Sequence, residues 1–64
     1  MDKPFDYQAL DRAVRLDKRT YIEIAWLLGV SRAYLYMLRK GMYQPGEKIR
    51  QRIGELYPAL KPRN

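Results

Sequence analysis

The sequence TYIEIAWLLGVSRAYLYMLRKG, residues 20–41, decides how this 64-residue chain folds. Thr20 with Glu23 forms a capping box, in which a hydroxyl and a carboxylate satisfy backbone donors at a helix start. Ile24, Ala25 and Leu28 then share one helical face. Gly29 ends that helix, because glycine reaches left-handed backbone geometry at little steric cost. Val30 is placed to fill the corner, and Ser31 to cap a second helix. Leu35 and Leu38 continue the inward face, and Gly41 closes the second helix after Arg39 and Lys40. The stretch predicts a helix-turn-helix.

The rest of the chain supplies the packing partners. Asp6 is positioned as a helix cap, with Phe5 and Leu10 as a hydrophobic staple around it. Leu10, Ala13 and Val14 form an inward stripe, which leaves Asp11, Arg12 and Arg15 facing water. Leu16 is placed to cover the end of this helix, and Asp17 to Arg19 make a short polar connection. After the loop of Met42, Tyr43 and Gln44, Pro45 suits the first turn of a last helix, with Gln44 as its cap. Ile49, Ile53, Leu56 and Tyr57 give that helix its buried stripe. Gly54 within it implies a close backbone contact, since glycine there costs roughly 1 kcal/mol against alanine. Pro58 stops the helix, because the residue before a proline avoids helical geometry. The expected architecture is all-α: a compact four-helix domain over residues 1–64, with a C-terminal tail from 58 to 64 in which Leu60 tucks back.

Composition narrows the function. The chain has no cysteine and no histidine, which argues against disulfides and zinc. Without those residues, a metal cluster or a phosphate-cradling glycine loop, an enzyme is not expected, and no cofactor or small-molecule ligand is implied. No apolar run approaches membrane-spanning length, and the first residues do not resemble a signal peptide; a cytoplasmic protein away from membranes is expected. Net charge is +6, and its placement matters more than its size. Residues 1–30 carry five basic and five acidic side chains, whereas residues 31–64 carry eight basic and two acidic. A localised cationic surface is the electrostatic footprint of a polyanion-binding protein.

Thr20, Glu23, Ala25, Gly29, Val30 and Ser31, followed by Leu35, Leu38 and Gly41, resemble the Cro and phage-repressor type of DNA-binding domain. The resemblance covers residues 20–41 closely and continues loosely from Pro45 to Leu56. It implies a lambda-repressor-like fold in which the small Ala25 lets two helices pack closely and Gly29 occupies the turn. It also implies double-stranded DNA as partner, and transcriptional regulation, in particular repression by promoter occlusion.

On that reading the second helix of the motif lies in the major groove, which accommodates an α-helix. With Leu35 and Leu38 inward, the base-reading residues are Arg32, Ala33, Tyr36 and Met37. Arg32 is the main reader, since its planar fork matches guanine O6 and N7, and Ala33 suits a thymine methyl. Phosphate contacts fall to Tyr21, Arg39, Lys40, Tyr43, Gln44 and Lys48. Tyr21 stands where the family commonly has a backbone-contacting glutamine. Amides around Gly46 and Glu47 also face a phosphate on this reading, while Arg50, Arg52, Lys61 and Arg63 provide general cationic background. Tyr34 either packs at the core edge or, as in single-strand binders, stacks on a base. A homodimer on two half-sites about 34–36 Å apart is expected, because one short reader helix covers few base pairs.

Ile22, Trp26 and Leu27 are apolar where the resembled family is usually polar. They are either extra core or a contact surface for a second protomer or another protein. A protein-interaction module on the same fold, and a DNA-bending excision cofactor, are therefore the alternative functions.

Overall fold

In a computed structural model the chain is all-helical, and the structure describes residues 5–60. Helix α1 spans Tyr7–Leu16, α2 Tyr21–Leu28, α3 Arg32–Arg39 and α4 Glu47–Leu56, with a 3₁₀ turn at Pro58–Leu60. Each of the first three helices starts on a side-chain cap. Asp6 Oδ1 accepts from Ala9 N at 3.0 Å, Thr20 Oγ1 from Glu23 N at 3.2 Å, and Ser31 Oγ from Tyr34 N at 3.0 Å. Half of the expected capping box at Thr20 forms: among the described residues no bond returns to the Glu23 carboxylate.

The α2–α3 corner follows the sequence closely. Gly29 has φ 74° and ψ 30°, the left-handed conformation that glycine adopts without a Cβ clash. Its N–H bonds to Trp26 O at 3.0 Å, and Val30 N bonds to Ala25 O at 3.0 Å, which satisfies carbonyls that α2 leaves open. A second left-handed glycine, Gly41 at φ 75°, closes α3. The Tyr7 ring lies against it, with ring carbons 2.8–3.0 Å from where a Cβ would stand.

Eight apolar side chains make the core: Leu10 and Val14 from α1, Ile24, Ala25 and Leu28 from α2, Leu35 and Leu38 from α3, and Ile53 from α4. Phe5, Val30, Tyr34, Ile49, Leu56, Tyr57 and Leu60 pack around them. Residues 58–60 are therefore a packed turn rather than tail, and the expected tail of 61–64 lies outside the described residues. Gly54 is buried within α4.

Several expectations are corrected. Leu16 is 82% exposed and covers nothing. Asp11 does not simply face water: its Oδ1 accepts from Arg39 Nε at 2.8 Å and its Oδ2 from Arg15 Nε at 2.9 Å. Helix α4 starts at Glu47 with Gly46 as N-cap and no side-chain cap. Gln44 is instead a strut whose Oε1 accepts from Phe5 N at 3.3 Å and Arg50 Nη2 at 3.4 Å.

Asp17 ties the α1–α2 connection to the end of α4. Its carboxylate accepts from Arg19 N at 2.9 Å, Arg19 Nη2 at 2.8 Å and Tyr57 Oη at 2.8 Å. The Arg19 bonds, side-chain and backbone, hold the Asp17 carboxyl far below the usual carboxylate range, and the Tyr57 hydroxyl adds to this. Burial and the neighbouring carboxylate push the Tyr57 phenol upward, so it remains a donor.

The depressed Asp17 carboxyl stabilises the fold above the ordinary carboxylate pKa of about 4, and that contribution fades as pH falls through the lower folded value. Asp17→Asn should therefore lower stability at neutral pH and flatten the acid limb of a denaturation series run between about pH 7 and about pH 2. Gly29→Ala should cost roughly 1–2 kcal/mol in thermal unfolding, the expense of a Cβ in left-handed geometry. Gly41→Ala should cost more, because there a Cβ meets the stiff Tyr7 ring, whereas at Gly29 it meets the far end of the flexible Arg52 side chain.

Candidate functional site

The outward face of α3 is set by what its inward face buries. Leu35 and Leu38 are fully buried, which fixes the rotation of the helix about its axis. Ala33, Tyr36 and Lys40 then share the opposite face, with Arg32 at its edge in the first turn, and all four are exposed. Met37, expected among the readers, lies at the flank of this face and is half-buried. Tyr36 is 51% exposed, and Lys40 Nζ stands 5.4 Å from the centroid of its ring, within cation–π range.

Two expected phosphate contacts are overturned. Arg39 turns back into the domain: its Nη2 is 2.7 Å from Asp11 Oδ1, and its guanidinium stands 5.4 Å from the Tyr21 ring centroid. It joins α1, the start of α2 and α3, and its side chain is 15% exposed. This guanidinium also holds the Asp11 carboxyl below its usual value. The Tyr21 hydroxyl is buried and its ring lies under the Arg39 guanidinium, so it is not presented at the surface. For Arg39 the physical reason is pairing: a cation beside a partly buried carboxylate and an aromatic ring gains more by those contacts than by hydration.

Lys48 and Tyr43 are exposed, as surface contacts require. The Tyr43 ring also stacks on Tyr34, with centroids 5.9 Å apart and planes at 29°. Tyr34 is half-buried and packed on the core, which places it in the structural role rather than the base-stacking one. Gln44 is exposed, but its carbonyl oxygen is engaged by Phe5 and Arg50.

The cations thus sort into two sets. Arg15, Arg19 and Arg39 are paired with Asp11 or Asp17. Arg12, Lys18, Arg32, Lys40, Lys48 and Arg52 form no ion pair among the described residues and are exposed; Arg12 and Lys18 belong to α1 and the connection after it, the other four to α3, its C-cap and α4. Lys61 and Arg63 lie outside the described residues. Sequence reasoning missed two roles. Arg50, assigned to general charge, bridges Gln44 and the Phe5 ring, the latter with its guanidinium 5.8 Å from the centroid. Arg52 lies over the Gly29 turn, where its guanidinium fills the space a Cβ would take. Neither has a local sequence signal, because both depend on segments distant along the chain.

An open cleft of about 430 Å³ lies between α1 and α3, lined by Tyr7, Gln8, Asp11, Arg12, Arg39 and Lys40. Its lining is polar, unlike the mostly apolar enclosure typical of small-molecule sites. No helix among the described residues is long and apolar enough to cross a membrane.

The α2 patch is surface. Trp26 is 77% exposed, Ile22 61% and Leu27 38%, so the extra-core reading of these three residues is overturned. The core has no room for them: Ile24, Ala25 and Leu28 already take the inward face of the helix. Trp26→Ser should consequently change thermal stability by no more than about 0.5 kcal/mol, the usual range for surface substitutions. A loss above about 2 kcal/mol would return Trp26 to the core.

The chain matches no protein-family model, no curated protein and no solved structure, and its functional reading rests on its own residues.

Proposed function

We propose that this chain binds duplex DNA through α3 and regulates transcription, as a homodimer of the Cro and phage-repressor kind that occludes a promoter. The observation that carries this reading is the face of α3 itself. Arg32 and Tyr36 stand exposed on a helix whose other side is locked by Leu35 and Leu38. An α-helix of about 10–12 Å diameter fits a major groove about 12 Å wide, with its N-terminal residues towards the bases. The unpaired cations Arg32, Lys40, Lys48 and Arg52 give the polyanion its counter-charge. Ordinary duplex affinity would come from the lysines, and sequence preference from Arg32.

A second reading is favoured by a separate observation, the exposure of Trp26 and Ile22 on α2. Aromatic side chains exposed beside aliphatic ones are the common core of protein contacts. On this reading the fold serves as a protein-interaction module, and fold alone does not decide between the two.

Anisotropy titrations against duplex DNA across a salt series separate them. For the DNA reading, Arg32→Ala should cost roughly 1–3 kcal/mol and relax preference at one base position. Lys48→Ala should weaken all sequences alike and reduce the log–log salt slope by about 0.9. Equal loss of discrimination from both variants would contradict these roles. Absence of duplex binding at low salt would leave the protein-interaction module.

A further inference from the structure

Resting on the DNA-binding reading, we infer that the middle of α3 recognises the C5-methyl group of a thymine, through Ala33 and Tyr36, beside a guanine read by Arg32. The inference comes from the chemistry that the exposed face offers and the chemistry it lacks. Helix α3 reads RAYLYMLR, with no asparagine, glutamine, aspartate or glutamate. Adenine is read in the major groove by an amide that donates to N7 and accepts from N6, and the cytosine amino group by a carboxylate. Neither kind of side chain is present on this helix. Ser31, just before it, has its Oγ already accepting from Tyr34 N. What remains is the Arg32 fork and the Lys40 ammonium, both suited to guanine or phosphate, and between them a patch made of the Ala33 methyl and the Tyr36 phenol ring.

That patch has a defined shape. Ala33 and Tyr36 are three residues apart, neighbours on one side of a helix, and both are exposed. The Lys40 ammonium lies over the Tyr36 ring, so the phenol is flanked by a group one turn further on. Burial of Leu35 and Leu38 prevents the helix from rolling to present a different set. The one apolar group that a base pair offers in the major groove is the thymine methyl. Seated between the Ala33 methyl and the Tyr36 ring, it would lose water contact on most sides. Removing it should weaken binding about three- to tenfold.

The test uses the full chain and the duplex recovered by selection from a random duplex pool. Each thymine, on either strand, is replaced in turn by uracil, which deletes the methyl and keeps the pairing. Uracil should weaken binding about three- to tenfold at one or two positions next to the guanine whose preference Arg32→Ala relaxes. At those positions Tyr36→Ser should bind thymine and uracil duplexes alike, and Ala33→Gly should shrink the difference if Tyr36→Ser does not fold. A specific duplex in which every thymine tolerates uracil without loss would overturn the inference while leaving DNA binding intact. If the pool yields no enriched duplex, the DNA-binding reading fails and this inference fails with it.

Discussion

Burial of Leu28, Leu35 and Leu38 around a left-handed Gly29 is the constraint on which the other features depend. The turn has three residues, so the direction of α3 is set by the backbone at Gly29 and by the side chains packed beneath it. Ala25 is nearly fully buried beside this corner, and a larger residue there would force the helices apart. Because the inward residues of α3 are fixed, its outward residues are fixed too. The orientation of Arg32, Ala33, Tyr36 and Lys40 is therefore a consequence of core packing rather than of any contact they make themselves.

A domain this small has a limited core, and polar ties do part of the work of holding its ends together. Asp11 with Arg39 joins α1 to α3, and Asp17 with Arg19 and Tyr57 joins the first connection to the end of α4. Gln44 links Phe5 to Arg50. These ties divide the basic residues between structure and surface. An arginine within reach of a partly buried carboxylate is removed from the charge available to a ligand, even though the net charge is unchanged. The formal +6 thus overstates the positive charge the surface leaves unpaired.

The apolar outward face of α2 and the mixed face of α3 have different chemistry and use different residues. Trp26 and Ile22 present hydrophobic surface with Glu23 as the one charged residue of their helix. The α3 face combines an arginine, a methyl group, a phenol and a lysine.

The local sequence by itself determined the helices, the side-chain caps of the first three and the two left-handed glycines, because these depend on residues within one turn of each other. It also determined that Leu10, Leu28, Leu35 and Leu38 point inward, since helical periodicity is a local property, whereas Leu16, at a helix end, is exposed against that expectation. The fate of the long polar and aromatic side chains was decided by tertiary structure. Arg39 and Tyr21 read as surface groups in sequence, yet the fold brings Asp11 to Arg39 from 28 residues away and buries the tyrosine hydroxyl. Trp26 shows the reverse case: hydrophobicity alone suggests burial, but three smaller residues already fill the inward side of α2. A side chain with several rotatable bonds takes its position from whatever charge or ring the packed helices place within reach, and that information is not held in its own neighbourhood of the chain.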